Sequence, residues 1–289
     1  MMIKVGNAPV SYGAFEVTVG LSADVPSAEQ VLDAAQAAGY QGIDLGPLGY
    51  LGLGANLKEA LESRSLLLTG GYVEVDISSA DKATVGLAEL EQVCDQFDAV
   101  ADGVAPEFLP RPTVALTGPA ADDTRSRWRQ IERAIGGLME RCARRGYEAC
   151  LHNEVGTQIA GQDSVLRLLE STPVALCLDT GHLIAAGGDP IAILEGWPDR
   201  VRHVHLKDVR LPASRQPFET AMQAWETGAF CPLGTGDGRI DEVLASLRAN
   251  GYSGWIVVEQ DVLPRDEAAY RQARDNQVVN REYLRSRGW

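Results

Sequence analysis

The feature that most restricts the fold is a unit that recurs along the chain: an amphipathic helical stretch, a glycine at its end, a short loop, and a short apolar run. The clearest copies join residues 30–38 through Gly39-Tyr40 to Gly42-Ile43-Asp44-Leu45, residues 131–145 through Gly146-Tyr147 to Ala149-Cys150-Leu151-His152, and residues 243–249 through Gly251-Tyr252 to Trp255-Ile256-Val257-Val258-Glu259. A glycine at a helix end takes the left-handed conformation that terminates it. The runs that follow are too uniformly apolar for strands with one wet face and read as buried parallel strands. Eight are expected, near residues 4–10, 41–45, 66–75, 113–116, 148–152, 174–178, 201–206 and 255–259, with helices including 80–99, 125–145, 162–170 and 267–287. Alternating strands and helices with right-handed crossovers give a parallel sheet. Eight repeats in 289 residues, with no linker or low-complexity break, predict an α/β chain folded as one closed (β/α)8 barrel, a single domain over 1–289. An open doubly wound sheet is the alternative, and it ordinarily carries a glycine-rich nucleotide loop. The nearest run, Gly234-Thr235-Gly236-Asp237-Gly238, has its third glycine one position early and no strong strand leading in.

Charge narrows the partners. There are 40 Asp plus Glu against 26 Lys plus Arg, a net −14, which disfavours phosphate backbones and anionic lipid surfaces. No apolar run approaches the roughly 18 residues of a membrane span, and the N-terminus shows no signal-peptide pattern. The five cysteines, Cys94, Cys142, Cys150, Cys177 and Cys231, form no C-x-x-C pair. They are expected to be reduced core thiols of a cytoplasmic protein.

All four histidines, His152, His182, His203 and His205, fall within one 54-residue window, each at or just past the C-terminal end of an apolar run. A barrel builds its site at that end. Asp179 and Glu259 end two further runs. His152, Asp179, His205 and Glu259 are spaced by 27, 26 and 54 residues, against about 30 for one strand–helix unit, the last gap being lengthened by a loop over residues 209–236. They are therefore expected at the ends of the fifth to eighth strands, facing one centre. A single histidine there is commonly a structural hydrogen-bonding residue and a single aspartate a helix cap; four together predict a divalent metal site. Two imidazoles and two carboxylates suit Mn²⁺, Co²⁺ or Mg²⁺ better than a closed thiolate zinc site.

The segments Leu151-His152-Asn153-Glu154-Val155-Gly156-Thr157, Leu178-Asp179-Thr180-Gly181-His182, His203-Val204-His205-Leu206-Lys207-Asp208-Val209, Gly236-Asp237-Gly238 and Gly254-Trp255-Ile256-Val257-Val258-Glu259 resemble the xylose-isomerase-like TIM-barrel superfamily of sugar isomerases, epimerases and dehydratases. Within it they are most similar to the inosose dehydratase family of myo-inositol catabolism. Gly6-Asn7-Ala8-Pro9-Val10-Ser11-Tyr12-Gly13 and Gly39-Tyr40-Gln41-Gly42-Ile43-Asp44-Leu45-Gly46 extend the likeness over most of the chain. The resemblance implies one metal, Mn²⁺ or Co²⁺ first and Mg²⁺ or Zn²⁺ also compatible, held by His152, Asp179, His205 and Glu259. Most of the superfamily carries Glu on the fifth strand. Here that segment is His152-Asn153-Glu154, so either His152 or Glu154 is the ligand. The resemblance makes His182 a contact to a substrate hydroxyl; otherwise it is a surface-loop imidazole. His203 has the parity of His205 but lies one layer deeper, as a partner orienting a ligand or substrate or as a packed core residue. Lys207 neutralises a developing oxyanion or pairs with Asp208. Glu16, Glu74 and Asp44 lie near early strand ends, facing substrate or solvent. Trp225 and Phe218 cover the site or anchor the long loop.

A metal that chelates a carbonyl and a neighbouring hydroxyl acidifies the adjacent carbon-bound proton and stabilises the enediolate. Glu154, Glu259 and His182 are the candidate bases, and His182 or Lys207 the candidate acid. The expected function is a metal-dependent lyase dehydrating a cyclic keto-polyol such as 2-keto-myo-inositol. The alternatives are a ketose isomerase or 3-epimerase and a keto-glycoside β-eliminase. Apurinic endonucleases share the barrel but need more histidines and a basic groove. A metal-free binding barrel would not need four intact ligands. The expected partner is a small sugar or cyclitol, with neither nucleic acid nor membrane, and a homo-oligomer is compatible with all of this.

Overall fold

A computed structural model describes residues 2–20, 25–119 and 124–289. Eleven strand segments form: β1 (Ile3–Asn7), β2 (Gly42–Ile43), β3 (Leu67–Leu68), β4 (Gly70–Asp76), β5 (Arg111–Thr117), β6 (Cys150–His152), β7 (Ala175–Asp179), β8 (Val201–Leu206), β9 (Asp208–Val209), β10 (Phe230–Cys231) and β11 (Gly254–Val258). Nine of them make one parallel sheet in the order β3-β2-β1-β11-β8-β7-β6-β5-β4. Its two ends, β3 and β4, are separated by Thr69 alone. The Thr69 N–H donates to Ile43 (3.0 Å) and its carbonyl accepts from the Arg111 N–H (3.3 Å), so the interrupted strand bonds to both neighbours. The result is the expected eight-stranded (β/α)8 barrel, with its third strand in two pieces.

Local sequence explains the helices around it. The helix Ala28–Ala38 begins with a capping box between Ser27 and Gln30. The three glycines read as helix terminators, Gly39, Gly146 and Gly251, all have positive φ (84°, 82° and 67°). In Thr124–Arg144 the buried positions are Trp128, Ile131, Ile135, Leu138 and Cys142, the three-to-four spacing of one helix face. That face packs in the core layer between helices and strands. All five cysteines are buried and free. Among the described residues no helix is long and apolar enough to cross a membrane.

The first strand ends sooner than expected. Pro9–Tyr12 forms a 3-10 turn instead, because proline fixes φ and has no N–H for a ladder. The long segment between β8 and β11 carries the antiparallel pair β9–β10 and the short helix Ala221–Glu226. Its glycine-rich run is folded around Asp208: the N–H groups of Gly234, Gly236 and Gly238 donate to that carboxylate at 2.9, 3.0 and 2.8 Å. Those donors are consumed internally, so this is a loop fastening and no phosphate cradle.

Candidate metal and substrate site

Parallel register brings the four expected donors to one end of the barrel. β6 ends on His152 and β7 on Asp179, and Asp179 stands opposite His205 of β8. Glu259 follows β11, its N–H donating to Leu206 at 3.1 Å. His152 Nε2 lies 3.2 Å from His205 Nδ1 and 3.5 Å from Asp179 Oδ2. His205 Nδ1 is 3.9 Å from Asp179 Oδ2 and 3.4 Å from Glu259 Oε1. Donor atoms of Asp179, His205 and Glu259 all lie within 4.8 Å of one another. Asp179 is anchored on both sides. Its main chain is clamped by Asn153, which donates to its carbonyl and accepts its N–H at 2.9 and 3.0 Å. Its Oδ1 accepts the His182 N–H at 2.8 Å. Oδ2 faces the centre, with the Lys207 ammonium 3.1 Å away.

The electrostatics suit a cation. Burial, followed by His152 and His203, pushes His205 well below the usual imidazole value, so it stays neutral with a lone pair to give. Burial works against ionising Asp179, but Lys207, His182 and His152 outweigh it and hold the carboxyl well below the usual range. Burial raises Glu259 well above that range against the opposing Lys207, with Asp261 and Asp179 adding to the rise. A mixed set of buried imidazole and carboxylate donors converging on one centre fits a divalent ion. Two other groupings, His152–Cys177–His205 and Asp44–His203–His205, also lie close together. Burial raises the Cys177 thiol well above its ordinary value, which keeps it protonated.

Glu154 lies away from this cluster. Its Oε2 is 3.8 Å from His152 Nδ1, on the far side of the ring, and accepts the Tyr72 hydroxyl. The same hydroxyl is 3.2 Å from Glu74 Oε1. Both groups open into one cavity, lined by His152, His205, Lys207 and Glu259 and by Tyr72, Glu74, Glu154 and Glu16, with Phe15 and Trp225 also in its wall.

The remaining expectations divide. Lys207 does not pair with Asp208. It is 2% exposed and turns inward, 3.1 Å from Asp179 Oδ2, 3.0 Å from Glu259 Oε2 and 2.7 Å from Asp261 Oδ1. Burial lowers its affinity for the proton, but Asp179, Asp261 and Glu259 overcome this and raise it well above an ordinary lysine. His182 is no surface imidazole: it is 2% exposed, with Nε2 3.3 Å from Asp261 Oδ2. His203 lies outside the cavity lining, fully buried beneath His205 with ring centroids 5.3 Å apart. Burial, then Arg111 and His152, bring it to about 3. His203 therefore does not reach the cavity as an expected substrate contact would. Trp225 lines the cavity, while Phe218 anchors the loop through its N–H to the Ala185 carbonyl (2.8 Å).

Two residues escaped the sequence reading. Tyr72 shares inward parity with Glu74 on β4, a polar alternation within an otherwise apolar strand that marks a site-facing side. Asp261, two residues past Glu259, carries no periodic signal. Burial disfavours its charge, but Lys207 and His182 overcome this and bring it to about 2.

Residues 32–278 match the profile of the xylose isomerase-like TIM barrel family. The chain is 31% identical over 277 residues to the rhizopine catabolism protein MocC of Rhizobium meliloti, covering 91% of this chain and 83% of that protein. It is 32% identical over 242 residues to an inosose dehydratase of Bacillus licheniformis, covering 78% of each. Among solved structures, the IolI protein with a bound zinc atom aligns at a TM-score of 0.73 with 12% identity, over 97% of this chain and 96% of that one. A D-allulose 3-epimerase from Methylomonas sp. in complex with D-allulose aligns at 0.68 with 17% identity, over 99% and 97%. The structural likenesses carry the fold, and the sequence profile carries the family. This chain belongs to the xylose isomerase-like TIM barrel family.

Proposed function

We propose that the chain is a metal-dependent lyase that removes water from a cyclic keto-polyol such as 2-keto-myo-inositol. The observation that carries this reading is the single cavity that brings together a donor cluster, a buried ammonium and a hydrogen-bonded carboxylate. Relatives named inosose dehydratase at around 30% identity support the substrate class. His152, Asp179, His205 and Glu259 would hold the cation. When bound, it supplies Lewis-acid polarisation of a carbonyl and an adjacent hydroxyl; Mn²⁺ and Co²⁺ are the first candidates for such a donor set.

The chain's own groups supply the rest. Glu154, beside the His152 ring at 3.8 Å from its Nδ1, accepts the proton α to the carbonyl, with Tyr72 orienting it. Lys207 holds its proton too tightly to be an acid and acts as a fixed positive charge beside the oxygen that becomes negative. His182 gives a proton to the β-hydroxyl as its C–O bond breaks, so that water leaves and a C=C bond forms. Glu74 and Trp225 contact the polyol, and Phe15 with Trp225 limits the access of bulk water.

The test is to strip the protein with chelator, add Mn²⁺ or Co²⁺, and follow 2-keto-myo-inositol by ultraviolet absorbance. A new absorbing product that requires the cation is expected. Full activity in the stripped protein would remove the metal from the account. Interconversion of ketohexoses with the inosose untouched would replace the lyase with an isomerase or epimerase.

A further inference from the structure

Asp261 is 4% exposed, and three elements converge on its carboxylate. Oδ1 is 2.7 Å from Lys207 Nζ, just beyond β8. Oδ2 is 3.3 Å from His182 Nε2, on the helix Thr180–Ala185, and accepts the Trp225 indole N–H at 3.0 Å. Trp225 comes from the short helix Ala221–Glu226, where Ala224 alone is buried. Few apolar contacts hold that helix down, so a polar tether carries more of its order. The indole has a single donor and no acceptor, and here a buried carboxylate takes it, giving a strong, directional bond. The ring also meets Phe15 edge-on, centroids 5.1 Å apart, and both rings line the cavity.

We infer that Asp261 is a positioning residue that seats Trp225 on the cavity and at the same time sets Lys207 and His182 within it. Covering the site and orienting its polar groups are then one event, because both depend on the same two oxygens. The roles of Lys207 and His182 rest on the lyase reading; the seating of Trp225 does not.

Acrylamide quenching tests the seating without any substrate. The Trp225 signal is isolated by subtracting a Trp225→Phe partner from each protein. Asp261→Ala should raise the quenching constant of that signal about twofold or more, since the lost charge-assisted bond frees the helix. Asp261→Asn, which keeps an acceptor oxygen, should hold it near the wild-type value. If Asp261→Ala does not fold, Asp261→Ser, with a hydroxyl too short to reach the indole, takes its place. Kinetics supply the second arm: Trp225→Phe should lower kcat/KM about tenfold in the wild type but less than about twofold on an Asp261→Ala background. Unchanged quenching in Asp261→Ala, or losses that simply multiply, would overturn the inference. A wild-type protein that turns over no inosose would overturn the lyase reading instead, and the quenching result would still decide the role of Asp261.

Discussion

Replacing Lys207 with methionine removes one buried charge and little volume. The ammonium stands 2.7 Å from Asp261, 3.0 Å from Glu259 and 3.1 Å from Asp179. At an effective dielectric of about 20, each contact is worth about 5 kcal/mol before desolvation. Desolvation cancels much of this, and removing one partner of a buried ionic group costs about 3–5 kcal/mol net. That is a large share of the about 5–15 kcal/mol that holds a domain folded. The pH dependence has a definite sign. Asp179 and Asp261 have folded values depressed below their unfolded ones. Their stabilisation is present above about pH 4 and lost only as pH falls through the folded values. Between pH 5 and 8 they add no slope in the wild type. Without the ammonium, burial is opposed only by His182 and His152, the folded values rise, and once they pass the unfolded ones stability falls as pH rises. The Lys207→Met deficit is therefore larger at pH 8 than at pH 5, by up to about 1.4 kcal/mol per pH unit for each group affected. Glu259, already raised, slopes the same way in both proteins. Urea unfolding in chelator at the two pH values measures this directly. A deficit below about 1 kcal/mol at both, the scale of an exposed ion pair, would refute the claim that Lys207 is the counter-charge of the cluster.

Asp179→Asn retains an oxygen to cap His182 but takes one carboxylate from the buried Lys207, so stability should fall by about 3–5 kcal/mol or less; the affinity of the folded variant for Mn²⁺ or Co²⁺ by calorimetric titration should fall about 100-fold or more, and unchanged affinity would exclude Asp179 as a ligand. Tyr72→Phe should lower kcat about tenfold, because Glu154 loses its oriented donor; steady-state kinetics check this, and an unchanged kcat would leave Tyr72 without the role given to it. A methyl group on Gly236 would sit 2.5 Å from Asp208 Oδ1 and 2.6 Å from the Val209 carbonyl, so Gly236→Ala should cost about 1–3 kcal/mol. Gly136, exposed on the helix Thr124–Arg144 with no atom within 4 Å of such a methyl, should instead gain about 0.5–1 kcal/mol as alanine; thermal melts that rank the pair the other way would contradict both assignments.

The barrel was legible because its signals are local. Apolar runs buried on both faces, and glycines such as Gly39, Gly146 and Gly251 at helix ends, mark each unit without reference to the rest of the chain. Breaks within a strand are less so: no local pattern marks the interruption at Thr69 or the two-residue ladder at Gly42–Ile43. The convergence of His152, Asp179, His205 and Glu259 followed from one strand–helix repeat per residue. The placement of Glu154 did not, because it depends on the Tyr72 hydroxyl from β4, distant in sequence. Lys207 looked as ready to pair with Asp208 as to face the site; the distinction came from the loop of Gly234, Gly236 and Gly238, which claims Asp208. Asp261 was invisible for the same reason: its three partners are distant in sequence.

The most direct test of the central claim is the mass of what the metal-loaded protein returns from 2-keto-myo-inositol in deuterated water. The account predicts a product lighter by one water, formed only with the cation present, and lost more severely in His182→Ala than is the exchange of the α-proton with solvent. An inosose recovered unchanged in mass, while free ketohexoses are interconverted by the same preparation, would contradict it.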